Sequence, residues 1–188
     1  MAGNTKKWSE ILKLGDFLEK NYPDNVLMQM KPETKRPVAS HKGWSWEKYK
    51  KNIIPNKDDY EISMVLKTFI VIDFDTQEVM AEWFSKFPIL QSVPFETSKK
   101  GGHLYFKRPA ICDHIGIFDK AFAFGKKDHG AVDFKTIAQT GTGGLMKCYP
   151  STDRLWVRSI FDYPLIDFPD EIIDYYMKNG IRLGQDCA

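Results

Sequence analysis

The sequence predicts an α+β fold built on an antiparallel-rich sheet. Three observations lead there. Short runs of β-branched and aromatic residues read as strands, the strongest being Phe69-Ile-Val-Ile-Asp-Phe-Asp75. Elsewhere apolar residues recur at helical spacing, as in Ile11, Leu12, Leu14, Phe17 and Leu18. The connections between several strands are short and glycine-bearing, which favours hairpins over crossovers. With 188 residues, 43% hydrophobic and 14% aromatic, the chain can bury the core of one domain, and disorder is excluded.

In chain order, Ser9 is the expected N-cap of a first helix ending near Tyr22-Pro23. Val26 to Met30 reads as a strand, and Lys31-Pro-Glu-Thr-Lys-Arg-Pro37 as a loop, since two prolines forbid a helix there. Trp44, Trp46 and Tyr49 stand among Lys42, Lys48, Lys50 and Lys51. Such interleaving suits stacking on nucleobases, and it equally suits a short amphipathic helix docking its tryptophans. Gln77 to Phe87 is a helix with Val79, Met80, Trp83, Phe84 and Phe87 on its buried face. Ser92 to Thr97 reads as an edge strand, and Lys99 to Gly102 as a turn into the strand His103 to Lys107. A short helix is expected around Phe118 to Phe124. Ala131 to Lys135 and Leu145 to Tyr149 read as strands across the turn at Gly141 to Gly144, and Trp156 to Arg158 as an edge strand. Asp167 to Lys178 closes as a helix capped by Gly180.

The formal charge is only +2, but it is segregated. Lys31 to Lys51 holds seven bases against Glu33 and Glu47, and Thr97 to Arg108 four bases and no acid. Ser159 to Met177 holds five acids and no base. Segregation of this kind suits one face meeting a polyanion. Cys112, Cys148 and Cys187 imply no disulfide framework, so an intracellular, reducing compartment is expected. No apolar run is long enough to span a membrane. Cys112 and His114, with His129 and Cys148, lack zinc spacing. The absence of Gly-Lys-Ser/Thr, Gly-x-Ser-x-Gly and a His-apolar-His pair excludes P-loop ATPases, α/β-hydrolases and rolling-circle nicking enzymes.

Three motifs remain. Asp73 and Asp75 project from one face of their strand, with Phe74 on the other. Two carboxylates so close repel unless a cation joins them, and an oxygen-only pair suits Mg²⁺ or Mn²⁺. A polar turn, with Asp75 or Thr76 capping the next helix, is the bland alternative. Thr97-Ser-Lys-Lys-Gly-Gly-His103 combines backbone freedom at Gly101 and Gly102 with the charge of Lys99 and Lys100 and the donor of His103, as a triphosphate cradle would. The bland alternative is a basic hairpin turn with a half-exposed histidine. Asp133 interrupts the apolar strand Ala131 to Lys135 and is the natural third carboxylate, with Lys135 in reach of a phosphate or of Asp133 itself.

In this order the motifs resemble those of the archaeo-eukaryotic primase superfamily, most closely the primase-polymerase domains of large DNA viruses, phages and plasmids. Asp73-Phe-Asp75 resembles the first motif, Thr97 to Phe106 the second and Val132-Asp133 the third. Lys31 to Pro37 with Gly43-Trp44 resembles the loop ahead of the first, and Tyr149-Pro-Ser151 the strand exit after the third. Lys99-Lys100 departs from a turn often written with Pro and Ser. The resemblance, over residues 25 to 160, implies a sheet like an RNA-recognition module with flanking helices, fused to a smaller N-terminal α/β unit. It implies a single catalytic domain over residues 1–188, of a type that commonly precedes a helicase. Asp73, Asp75 and Asp133 would hold a two-metal Mg²⁺ or Mn²⁺ site. His103, Lys100, Lys135, Gly101 and Gly102 would hold the nucleotide. The implied activity is DNA primase and DNA polymerase in replication, acting on single-stranded DNA template, primer and nucleoside triphosphates. The implied setting is an infected host cell or a bacterial cytoplasm carrying a phage or plasmid. A non-catalytic single-stranded nucleic-acid-binding module and a metal-dependent nuclease or repair enzyme are the alternatives.

Overall fold

The computed structural model describes residues 2–31, 36–38, 45–51, 61–109, 132–136 and 144–178. Within them lie α1 (Ala2–Asn21), β1 (Val26–Met30), α2 (Trp46–Lys50), β2 (Glu61–Leu66), β3 (Phe69–Phe74) and α3 (Gln77–Lys86). A 3-10 turn over Pro88–Ser92 leads to β4 (Phe95–Thr97), β5 (Gly102–Lys107), β6 (Val132–Lys135), β7 (Gly144–Lys147), β8 (Leu155–Arg158) and α4 (Asp170–Lys178). The strands form a five-stranded sheet, β6-β3-β5-β4-β8, and a three-stranded sheet, β1-β2-β7. Every pairing between these strands is antiparallel, so the described residues form a mixed α+β fold.

β3 lies inside the larger sheet, between β6 and β5, and from Phe69 to Ile72 both its faces are apolar. Ile70, Ile72 and Phe74 join Leu104 and Phe106 of β5 against Val79 and Trp83 of α3 and Ile172 of α4. Phe69 and Val71 face the other way, into a second cluster with Tyr105, with Leu14 and Leu18 of α1, and with Leu27, Ile62 and Met64 of the smaller sheet. Each such side chain contributes about 1.5–3 kcal/mol when fully buried. Alternation then dictates that Asp73, two residues after Val71, projects from the face turned toward the smaller sheet.

Several expectations change in the folded chain. α1 begins at Ala2, so Ser9 lies within it and not at its start. Ser92 to Thr97 is no edge: β4 is flanked by β5 and β8, and the described edges of that sheet are β6 and β8. On β8 the Arg158 guanidinium lies 5.6 and 5.1 Å from the Phe84 and Phe95 ring centroids and donates to the Val93 and Leu90 carbonyls. β6 and β7 are not partners across a turn; β6 pairs with β3 and β7 with β2. The last helix starts at Asp170, because Lys107 holds Asp167 in a bridge. Trp46 and Tyr49 are buried, and Trp46 Nε1 donates to Asp16 at 2.7 Å, so neither ring is free to stack on a base. Thr76 caps α3, its Oγ1 accepting from the Val79 amide. The expectations for Pro32 to Lys35, Gly43, Trp44, Cys112, His114, Phe118 to Phe124, His129, Gly141, Gly180 and Cys187 lie outside the described residues.

Candidate active site

Cross-strand register lines up one polar row. Asp133 on β6 opposes Asp73 on β3, Asp73 opposes His103 on β5, and His103 opposes Glu96 on β4. Opposed residues on antiparallel neighbours share a face, so four side chains remote in sequence stand side by side. Asp75 follows directly after the end of β3 and is exposed. The row borders a cleft of about 650 Å³ between the sheets. Asp73, Asp75, Lys100 and Lys135 line it from the larger sheet's side and Lys147 from the smaller's, with Arg154 on the segment that joins β7 to β8.

Three acids and one histidine make up the row. His103, 1% exposed, lies between two carboxylates: Nδ1–H donates to Glu96 Oε1 at 2.6 Å and Nε2–H to Asp73 Oδ1 at 3.1 Å. Ionised carboxylates only accept, and a ring that carries both protons satisfies the two of them at once. Burial alone would lower its pKa, but the bonds to Asp73 and Glu96 outweigh burial and raise it. Asp73 gives its other oxygen to the Lys135 ammonium. Burial would raise the Asp73 pKa; the hydrogen bond and charge of His103, with Lys135, hold it well below the ordinary carboxylate range. Asp75 moves the opposite way, pushed up by burial and then by the charges of Asp73 and Asp133.

A depressed carboxylate pKa stabilises the fold above the ordinary carboxylate range, and that stability is lost as pH falls through it toward the depressed value. Between about pH 6 and pH 3 the Tm of wild type should therefore fall more steeply than that of Asp73→Asn, by calorimetry. Parallel slopes would show that Asp73 is not held in this way.

The site residues expected from sequence are thus brought to one corner, with two differences. His103 is not half-exposed with a donor to spare, since both nitrogens are engaged. Gly101 does not offer a free amide: its N–H donates to Ser98 Oγ at 3.0 Å. Close packing requires the glycine there. A Cβ on Gly101 would lie 1.9 Å from the Phe74 carbonyl oxygen, and one on Gly102 2.5 Å from the Phe95 ring. Gly101→Ala should cost about 1–3 kcal/mol by overpacking, read as a fall of several degrees in Tm. An unchanged Tm would refute this contact. Sequence reasoning missed Glu96 and Arg154. For Glu96 a signal existed, an acid in an apolar strand four turn residues ahead of the partner strand.

Among the described residues, no three His, Cys, Asp or Glu side chains stand ready as a metal-holding group. The donor chemistry of the corner still fits a hard divalent cation. Asp73, Asp75 and Asp133 offer only oxygen, their repulsion already raises the Asp75 pKa, and the Lys135 ammonium sits on Asp73 as a cation would. No helix among the described residues is long and apolar enough to cross a membrane. Compared with known proteins, the chain matches no family model and no curated protein.

Proposed function

We propose that the chain is a template-directed nucleotidyltransferase, a primase and DNA polymerase of the archaeo-eukaryotic primase superfamily. The observation that carries this reading is the row Asp133-Asp73-His103 on three adjacent strands, beside a cleft with basic side chains. On this reading the five-stranded sheet with its helices would be the superfamily's catalytic sheet, and α1 with the smaller sheet its N-terminal unit.

Asp73, Asp75 and Asp133 would hold Mg²⁺ or Mn²⁺. Bound there, the ions supply polarisation of a 3′-hydroxyl and neutralisation of departing pyrophosphate. Lys99, Lys100, Lys135 and Arg154 place positive charge along the cleft, where a triphosphate would lie. The primer oxygen bonds to the α-phosphorus, the bond from that phosphorus to pyrophosphate breaks, and the hydroxyl proton passes to solvent. No side chain is assigned as general base, since positioning and charge neutralisation dominate such transfers. His103 orients Asp73, and a phosphate oxygen that takes its Nε2–H must take it from Asp73.

Incubation with single-stranded template, ribo- or deoxynucleoside triphosphates and Mg²⁺ or Mn²⁺ should yield primers or extend annealed ones. Template degradation instead would make the chain a nuclease. Template binding without metal-dependent nucleotide binding would make it a non-catalytic module.

A further inference from the structure

We propose that Glu96 is the positioning residue of this site, holding the His103 ring so that Nε2 faces Asp73 and the cleft. The inference rests on the nucleotide-binding reading above.

Glu96 is fully buried, where a carboxylate costs several kcal/mol unless its oxygens are satisfied. An apolar residue would pack that strand more favourably. The partners of Glu96 explain its place. Oε1 accepts from His103 Nδ1 at 2.6 Å and from the Tyr105 hydroxyl at 2.8 Å, and Oε2 from the Tyr149 amide at 2.9 Å. Arg154 Nε lies 3.9 Å from Oε1. Tyr149 belongs to the chain leaving β7, so one carboxylate joins the histidine to the segment that leaves the smaller sheet. Tyr105 buttresses the arrangement: its ring stands edge-on to His103 with centroids 6.5 Å apart. An imidazole held at one nitrogen by a carboxylate has its plane and its second N–H fixed, and removing such an outer partner costs about 10–100-fold in site affinity.

A double-mutant cycle with dATP and Mn²⁺ as the probe tests this, dissociation constants being read by calorimetry on chains shown to be folded by circular dichroism. Glu96→Gln should weaken dATP binding about 10–100-fold. His103→Ala should weaken it at least as much. In the double variant, Glu96→Gln should add nothing to His103→Ala, because its effect passes through the ring. Should Glu96→Gln not fold, Glu96→Asp replaces it in the cycle: it keeps the charge, withdraws it from Nδ1, and should show the same coupling. Wild-type affinity in the folded Glu96 variant, or additive losses in the cycle, would overturn the positioning role and leave the nucleotide site standing. Wild type that binds no dATP would overturn both readings.

Discussion

Asp73→Asn is expected to lower nucleotide incorporation about a thousandfold, since the proposed function makes Asp73 a metal ligand whose loss removes several kcal/mol of charge stabilisation, and each 1.36 kcal/mol is tenfold. Asp73 is the residue that brings Asp133, His103 and Lys135 together. It opposes Asp133 on one side and His103 on the other, and its two oxygens accept from His103 and Lys135. Asparagine keeps the shape but loses the charge, and its amide turns a donor toward His103 or Lys135, both donors themselves. A donor left unsatisfied in a buried place costs about 1–3 kcal/mol, so the variant should melt lower yet remain folded. Single-turnover incorporation below that melting temperature separates the two effects. Undiminished incorporation by Asp73→Asn would end the assignment as a metal-dependent polymerase.

Lys135→Met should change two affinities in opposite directions. The ammonium is bound to Asp73, so a divalent ion competes with it, and removing it should tighten Mn²⁺ binding several-fold. The effect is modest because the Lys135 side chain is 37% exposed and solvent screens it. Binding of the triphosphate should weaken, because the same lysine is then missing from the cleft wall. Mn²⁺ titration by electron paramagnetic resonance, without and with dATP, reads both. Weakening of both affinities would show that Lys135 supports the acids and does not compete for them.

Much of this site could be read before the fold was known. Asp73, Asp133 and His103 were recognisable because each is a polar residue in an apolar strand, a position where burial is costly and demands a partner. The hairpin joining β4 to β5 was legible in Lys99-Lys-Gly-Gly102, whereas the register that sets Glu96 opposite His103 became visible only in the folded chain. The glycines were legible too, but not their reason. Gly101 fits beneath the Phe74 carbonyl, a contact between segments remote in sequence, and Gly102 fits against the Phe95 ring. Trp46 and Tyr49 show the same limit, since composition suits a stacking platform and a buried anchor equally, and only Asp16 and the α1 core select the anchor.

By itself the sequence determined most of the elements, though not β2, together with the alternation that puts Asp73 opposite in face to Phe74 and the chemistry available at each motif. These are local properties, set by side-chain periodicity and turn chemistry. Only the tertiary structure decided that β6 leaves its chain neighbour β7 to pair with β3, bringing Asp133 beside Asp73. It also decided that His103 is enclosed between two carboxylates. Strand partnership and burial depend on which arrangement covers both faces of the sheet at once, and that is a property of the whole chain.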